Sequence, residues 1–388
     1  MPRLLYFAIP LFLFCSGLAA EQETPSAFDQ RGYLDDGQLL AGETENWKEL
    51  VDTLSRLDFN YIATRGVEPA QAVLDYLQKQ GLTVQNVAFP GELEQEGADK
   101  PLLQVVGSKE QKLWAGGMLT PPQKGTLLWA DDGSGRIAGW PLDTKGVELG
   151  VFLHAGGKHN GPVQDPYPAI IGESIRDAAK RGLTANALFA GPGIEPFLLN
   201  LEAAVAAMNN PQGFDADSFY AQWASRHFGE RAAGLTVKSL KLLHGAHEQV
   251  GGFADIAAKS SEILATLQQE KPEGIDLNPV NDALRLSRRS LELANTAGEK
   301  VPSGQRETFK HQILLPAELY LQNLELLETL CKLSGAWKIY RAMPPSPVSQ
   351  QRVAGLLAEA QGRAAILPNT TGIHVPNPED IETLAKKL

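Results

Sequence analysis

Apolar residues in the first 230 positions fall into two alternating rhythms. Trp47, Leu50, Val51, Leu54 and Leu57 follow the helical period behind Asn46, which forms a capping-box pattern with Glu49. Residues 59–64 form a short β-type run. Pro69 and Gly81 bracket a second helix whose apolar face is Val73, Tyr76 and Leu77. Residues 82–89 read as another strand, and Ser108 with Gln111 can cap a helix through Leu113 and Trp114. Residues 126–130 are a buried strand that runs into Asp131 and Asp132. Residues 149–154 form the next strand, and a helix over 170–181 stops at Gly182. A strand over 183–190 and a helix from 194 complete the series. At least five β-runs thus alternate with helices, the signature of a parallel sheet with crossover helices. Residues 21–40 are polar and rich in Gly and Asp, and read as a lead-in.

The pattern changes after Phe228. Residues 230–365 carry long Leu- and Ala-rich helical patterns, broken at Pro272, Pro302 and the Pro344, Pro345, Pro347 cluster. Four or five helices without a strand are expected, then a Pro-rich tail and a short terminal helix. The organisation read from the sequence is a leader over 1–20, a β/α region over 21–229 and a helical region over 230–388.

Composition sets limits on this picture. The chain has 388 residues, 43% hydrophobic and 21% charged, an ordinary globular mix. The net charge of −11 comes without a basic stripe, so nucleic acid is not an expected partner. Arg3, the apolar run over 4–14 and the small residues Ser16, Gly17, Ala19 and Ala20 read as a secretory signal cut after Ala19 or Ala20. A secreted or periplasmic protein is expected, with no membrane contact once the signal is removed. Cleavage removes Cys15 and leaves Cys331, whose helical Leu neighbours predict a buried thiol. His244, His247 and Glu248 are too few for a convincing zinc site, so no metal or other cofactor is expected.

Parallel β/α folds bind ligands beyond the carboxyl ends of their strands. Three segments fall there. Trp129-Ala130-Asp131-Asp132-Gly133-Ser134-Gly135-Arg136 puts two carboxylates at a strand end, as an active-site loop or an ordinary acidic turn would. His154-Ala155-Gly156-Gly157-Lys158-His159-Asn160-Gly161 offers imidazoles, an amine and an amide on a flexible backbone, but lacks the register of a phosphate loop. Glu173 follows Ala169, Ile170, Ile171 and Gly172. It reads either as a carboxyl raised in pKa by apolar neighbours and fit for general acid work, or as a solvated first-turn Glu.

Taken in order, these segments resemble glycoside hydrolase family 115. Residues 127–133 resemble its strand ending in a Trp-x-Asp-Asp-Asn-like motif, and residues 150–154 its next strand. Residues 169–182 resemble the following helix with its Glu, residues 191–196 the succeeding turn, and residues 214–229 the barrel exit. The resemblance implies an α/β fold: a (β/α)8-type barrel followed by a helical domain. The barrel is shortened or incomplete here, because about 200 residues precede the helices where a full barrel takes ~250. It also implies acid/base hydrolysis of an acidic or plant-type polysaccharide by two carboxyls ~6.5–9.5 Å apart. Glu173 would be one of them, with Asp131 or Asp132 as the other. His154 would line the sugar site, with Trp129, His159 and Asn160, and Lys158 and Arg136 are candidate cations for a sugar carboxylate. The retained Asp-Asp, His and Glu favour an enzyme. Ala190-Gly191-Pro192-Gly193, where the family has a polar turn, favours a degenerate barrel that binds carbohydrate or a protein partner. Oligomeric state is not readable from the sequence.

Overall fold

The computed structural model describes residues 26–35, 47–65, 69–88, 103–106, 126–131, 137, 147–154, 168–190, 198–269, 275–343, 346–367 and 378–385. Seven parallel strands form a closed ring: β1 (Arg31–Asp35), β2 (Tyr61–Thr64), β3 (Thr83–Ala88), β4 (Leu103–Val106), β5 (Thr126–Ala130), β6 (Glu148–His154) and β7 (Asn186–Ala190). Each pairs with the next in sequence, and β7 returns to β1. The ring is one strand short of an eight-stranded barrel.

Two of these strands correct the sequence reading. β1 lies inside the segment that reads as a lead-in, and β4 has no counterpart among the expected strands. Both are short, and β1 (Arg-Gly-Tyr-Leu-Asp) has a charged residue at each end. Folding buries both charged residues: Arg31 pairs with Asp58 and donates to Asn209 Oδ1 at 3.4 Å, and Asp35 is 1% exposed. The helix expected through Leu113 and Trp114 lies outside the described residues.

Helices α1 (Trp47–Arg56), α2 (Gln71–Lys79), α3 (Pro168–Lys180) and α4 (Leu198–Asn209) follow β1, β2, β6 and β7. Strand alternation divides the apolar residues between two faces. Tyr33, Ile62, Val151, Leu153 and Phe189 face outward and pack with Leu54, Leu77, Ile171 and Ile175 of the helices. Tyr61, Ala63, Val105, Leu128, Phe152 and Leu188 fill the ring. Gly182 ends α3 as expected: its φ of +74° suits glycine, and Leu183 N–H bonds back to Ala178 O at 3.0 Å.

The floor of the ring, at the strand N-termini, is closed by two polar residues. Tyr61 Oη donates to Asn186 Oδ1 at 2.5 Å, and burial raises the Tyr61 phenol above its ordinary pKa despite that bond. Each has a glycine as one neighbour in register: Gly32 beside Tyr61 and Gly150 beside Asn186.

The rest of the described chain is helical: α5 (Ala216–Phe228), α6 (Glu230–Val250), α7 (Phe253–Gln268), α8 (Asn278–Gly298), the short α9 (Arg306–Phe309), α10 (Leu315–Ala342), α11 (Pro347–Ile366) and α12 (Pro378–Ala385). Over residues 230–366 this makes six described helices rather than four or five, and α12 is the expected short terminal helix. The additional break falls at Gly251-Gly252, where Gly251 takes φ +94° between α6 and α7. Asp215 caps α5 by accepting Ser218 N–H at 2.8 Å. Phe228 meets Trp223 and Phe309 edge-on at 5.3 and 5.0 Å, so α5 packs against the helices that follow it. Helices α6 and α8 approach closely at serines: Ser239 Oγ donates to Ser290 O at 2.9 Å and Ser290 Oγ to Ser239 O at 2.8 Å.

Candidate functional site

The carboxyl ends of the strands form the mouth of the ring. β6 alternates Gly150, Phe152 and His154 inward, so a small residue lies at the floor, an aromatic ring in the middle and an imidazole at the mouth. The Phe152 and His154 rings meet edge-on at 5.0 Å. On the neighbouring strand, Asp131 N–H donates to Phe152 O at 2.9 Å, extending the β5–β6 ladder by one residue. That bond holds the Asp131 carboxylate against His154. Its Oδ2 accepts the His154 backbone N–H at 3.1 Å, and its Oδ1 meets the ring Nδ1.

The pair is asymmetric: the Asp131 side chain is 0% exposed and that of His154 is 34% exposed. With Nδ1 donating to the carboxylate, Nε2 is the second nitrogen of a partly exposed ring. Half-buried Leu34, Ala130 and Ala190 flank the ring interior near His154, and Ala190 stands in register with both Leu34 and His154. Ala130 on β5 and Ala190 on β7 are the small inward residues at the level of the imidazole. The arrangement can receive a hydroxyl-bearing molecule, with Nε2 accepting a hydrogen bond or taking a proton.

The other expected site residues divide into two groups. Trp129 faces away from the mouth, because Ala130 takes the inward position of β5. It is 3% exposed and packs with Leu127, Ile137, Val147 and Leu149 outside the ring. Glu173 lies in the second turn of α3, exposed, while its neighbours Ile171, Ser174 and Ile175 turn inward. It has no hydrogen bond or ion pair among the described residues, and the apolar enclosure suggested by its sequence neighbours is absent. Asp131 and His154 are therefore joined to each other, and Glu173 is joined to neither. Asp132, Arg136, Lys158, His159 and Asn160 lie outside the described residues.

On the outward side of the ring, alternating with inward Leu34, Ala63 and Val87, lies a polar row that sequence reasoning missed. Asp35, Thr64 and Asn86 stand side by side in register on β1, β2 and β3. Thr64 Oγ1 donates to Asn86 Oδ1 at 3.1 Å, and Asp35 and Thr64 are buried. A strand over 31–35 would have to be read before this row became visible.

Among the described residues, no group of three or more His, Cys, Asp or Glu side chains could hold a metal ion. His247 is instead buried against the Tyr320 ring at 4.1 Å. No helix among them is long and apolar enough to cross a membrane.

No protein-family model and no curated protein matches the sequence. Two solved structures share the fold over 93% of this chain. One is a family 115 4-O-methyl-alpha-glucuronidase with specificity for decorated arabinogalactans, at TM-score 0.61 and 13% identity. The other is a family 138 enzyme targeting pectin rhamnogalacturonan II, at TM-score 0.59 and 8% identity. The fold is glycoside-hydrolase-like. At these identities the likeness concerns fold alone. The chain spans 62% of the length of the glucuronidase and 84% of the length of the pectin-directed enzyme.

Proposed function

We propose that this chain is a secreted or periplasmic carbohydrate-active protein of glycoside-hydrolase type, acting on an acidic or plant-type polysaccharide at the mouth of the ring. The observation that carries this reading is the Asp131–His154 pair at the carboxyl ends of β5 and β6, on a fold shared with two polysaccharide-directed hydrolases. Asp131 is the positioning carboxylate and His154 the group that touches the sugar or the attacking water. Hydrolysis breaks the bond from the anomeric carbon to the leaving oxygen and forms one to water oxygen. A base removes the water proton, and an acid protonates the leaving oxygen. His154 suits the first role. Asp132, the next carboxylate in the chain, is assigned the second, and Lys158 and Arg136 are assigned to a sugar carboxylate.

One observation favours binding without turnover. Both Asp131 oxygens are engaged by His154, and Glu173 is exposed on the outer helix, so no pair of free carboxyls is assembled among the described residues. A product screen against acidic polysaccharides, run beside a binding titration with the same panel, tests both readings. Released sugar that disappears in Asp132→Asn and His154→Ala supports hydrolysis. Saturable binding lost in His154→Ala without product supports the binding form. Neither product nor binding would remove the proposal.

A further inference from the structure

A cavity of about 310 Å³ lies in the helical region, between the end of α6, one face of α7, the start of α8 and the middle of α10. That volume is at the lower end for small-molecule sites, ~300–1,000 Å³. The inner wall is apolar, with Ile263, Leu327 and Cys331 all buried. The rim is charged, with Lys259, Glu262 and Asp276 exposed.

Two of the three rim charges are answered by helix ends. Lys259 Nζ donates to the carbonyl of Val250, the last residue of α6, at 2.5 Å, so a cation stands on the negative end of that helix. Asp276 Oδ1 accepts the N–H of Asn278, the first residue of α8, at 3.0 Å, so an anion stands on the positive end. Glu262 has no hydrogen bond or ion pair among the described residues. One negative charge is therefore left over an apolar pocket.

We propose that this cavity binds a small amphiphile carrying a single positive charge, with its apolar ring or short chain against Ile263, Leu327 and Cys331 and its ammonium group at Glu262. The site is separate from the barrel mouth and independent of the carbohydrate reading.

Calorimetric titration of the full chain with 4-phenylbutylammonium, and with 4-phenylbutyrate as the probe of opposite charge, tests the proposal. The ammonium binds one-to-one, and the carboxylate up to about fivefold more weakly, the scale of one exposed ion pair. Glu262→Gln removes most of that difference. Cys331 supplies a second readout: burial and Glu328 push its thiol up to about 11, and a ligand covering it slows its alkylation by iodoacetamide at about pH 9. Thr266→Trp fills the cavity and abolishes both effects; should that variant fail to fold, Ile275→Trp, at another wall residue, takes its place. The proposal is overturned if the ammonium gives neither heat nor protection of Cys331, if both probes bind equally, or if the filled variant binds as the parent does.

Discussion

Asp131 and His154 are joined twice, one carboxylate oxygen meeting the histidine's backbone N–H and the other its ring Nδ1. A fully buried carboxylate needs such donors, since an unmatched charge in the interior is costly. Asn at this position has one carbonyl oxygen for two donors and points an N–H group at the second. Asp131→Asn is expected to cost about 1.5–3 kcal/mol, the range of a charged hydrogen bond, read as a lower urea midpoint at unchanged slope. It also frees the His154 ring, so sugar binding falls in Asp131→Asn as it does in His154→Ala. Parallel titrations check this: a His154→Ala chain that binds the panel as the parent does would remove the mouth as the site.

Trp129 separates a packing role from a sugar-binding role. A tryptophan beside an Asp-Asp pair looks like a platform for a sugar ring, yet here it is buried outside the barrel with Leu127 and Leu149. Truncating a buried Trp costs roughly 3–5 kcal/mol. Trp129→Ala is expected to lower stability on that scale, while the folded fraction keeps the parent's carbohydrate affinity. Denaturation and titration of the same sample measure the two effects. Lost affinity at full folding would return Trp129 to the site.

The strands legible in the sequence are those with a clear apolar run: Thr126–Ala130 has its expected bounds, and the strand expected over 149–154 gains only Glu148. β1 is illegible because its charged ends find partners only in the folded chain, Arg31 at Asp58 and Asn209, which are far from it in sequence. At the site, parallel pairing puts Asp131 and His154 at neighbouring strand ends, so their meeting is within reach of the sequence. The inward–outward parity of Trp129 is also available there, since Leu127 and Trp129 share a face opposite Leu128 and Ala130. Glu173 misleads because its sequence neighbours are apolar: on a helix, Ile171 and Ile175 turn toward the sheet while the residue between them turns away.

Exposure decides what Glu173→Gln does. A surface residue outside any hydrogen-bond network changes stability by no more than about 0.5 kcal/mol when substituted. The variant is therefore expected to unfold with the parent in urea and, if the chain hydrolyses a polysaccharide, to keep its turnover, whereas Asp132→Asn loses it. Product release by both variants on one substrate decides between the two carboxyls. Turnover lost in Glu173→Gln alone would place the acid on α3.

The floor of the ring yields the sharpest stability prediction. A Cβ built on Gly32 would stand 2.0 Å from the Tyr61 ring, and one on Gly150 would stand 2.3 Å from the Asn186 backbone oxygen. Real side chains do not approach so closely, so each alanine must push something aside. The obstacles differ. The Tyr61 ring is a side chain and can be shortened, whereas the Asn186 carbonyl belongs to the strand paired with β6 and cannot move without disturbing the ladder. Gly32→Ala is expected to cost about 1–3 kcal/mol, the usual penalty of overpacking, and Gly150→Ala more. Replacing Tyr61 with Ala in the Gly32→Ala background removes the clash, so the double variant is less destabilised than the sum of the two single ones. Tyr61→Ala in the Gly150→Ala background gives no such relief. A cycle of urea midpoints over these variants measures the coupling. Simple additivity for Gly32 and Tyr61 would mean that the floor is not packed as described.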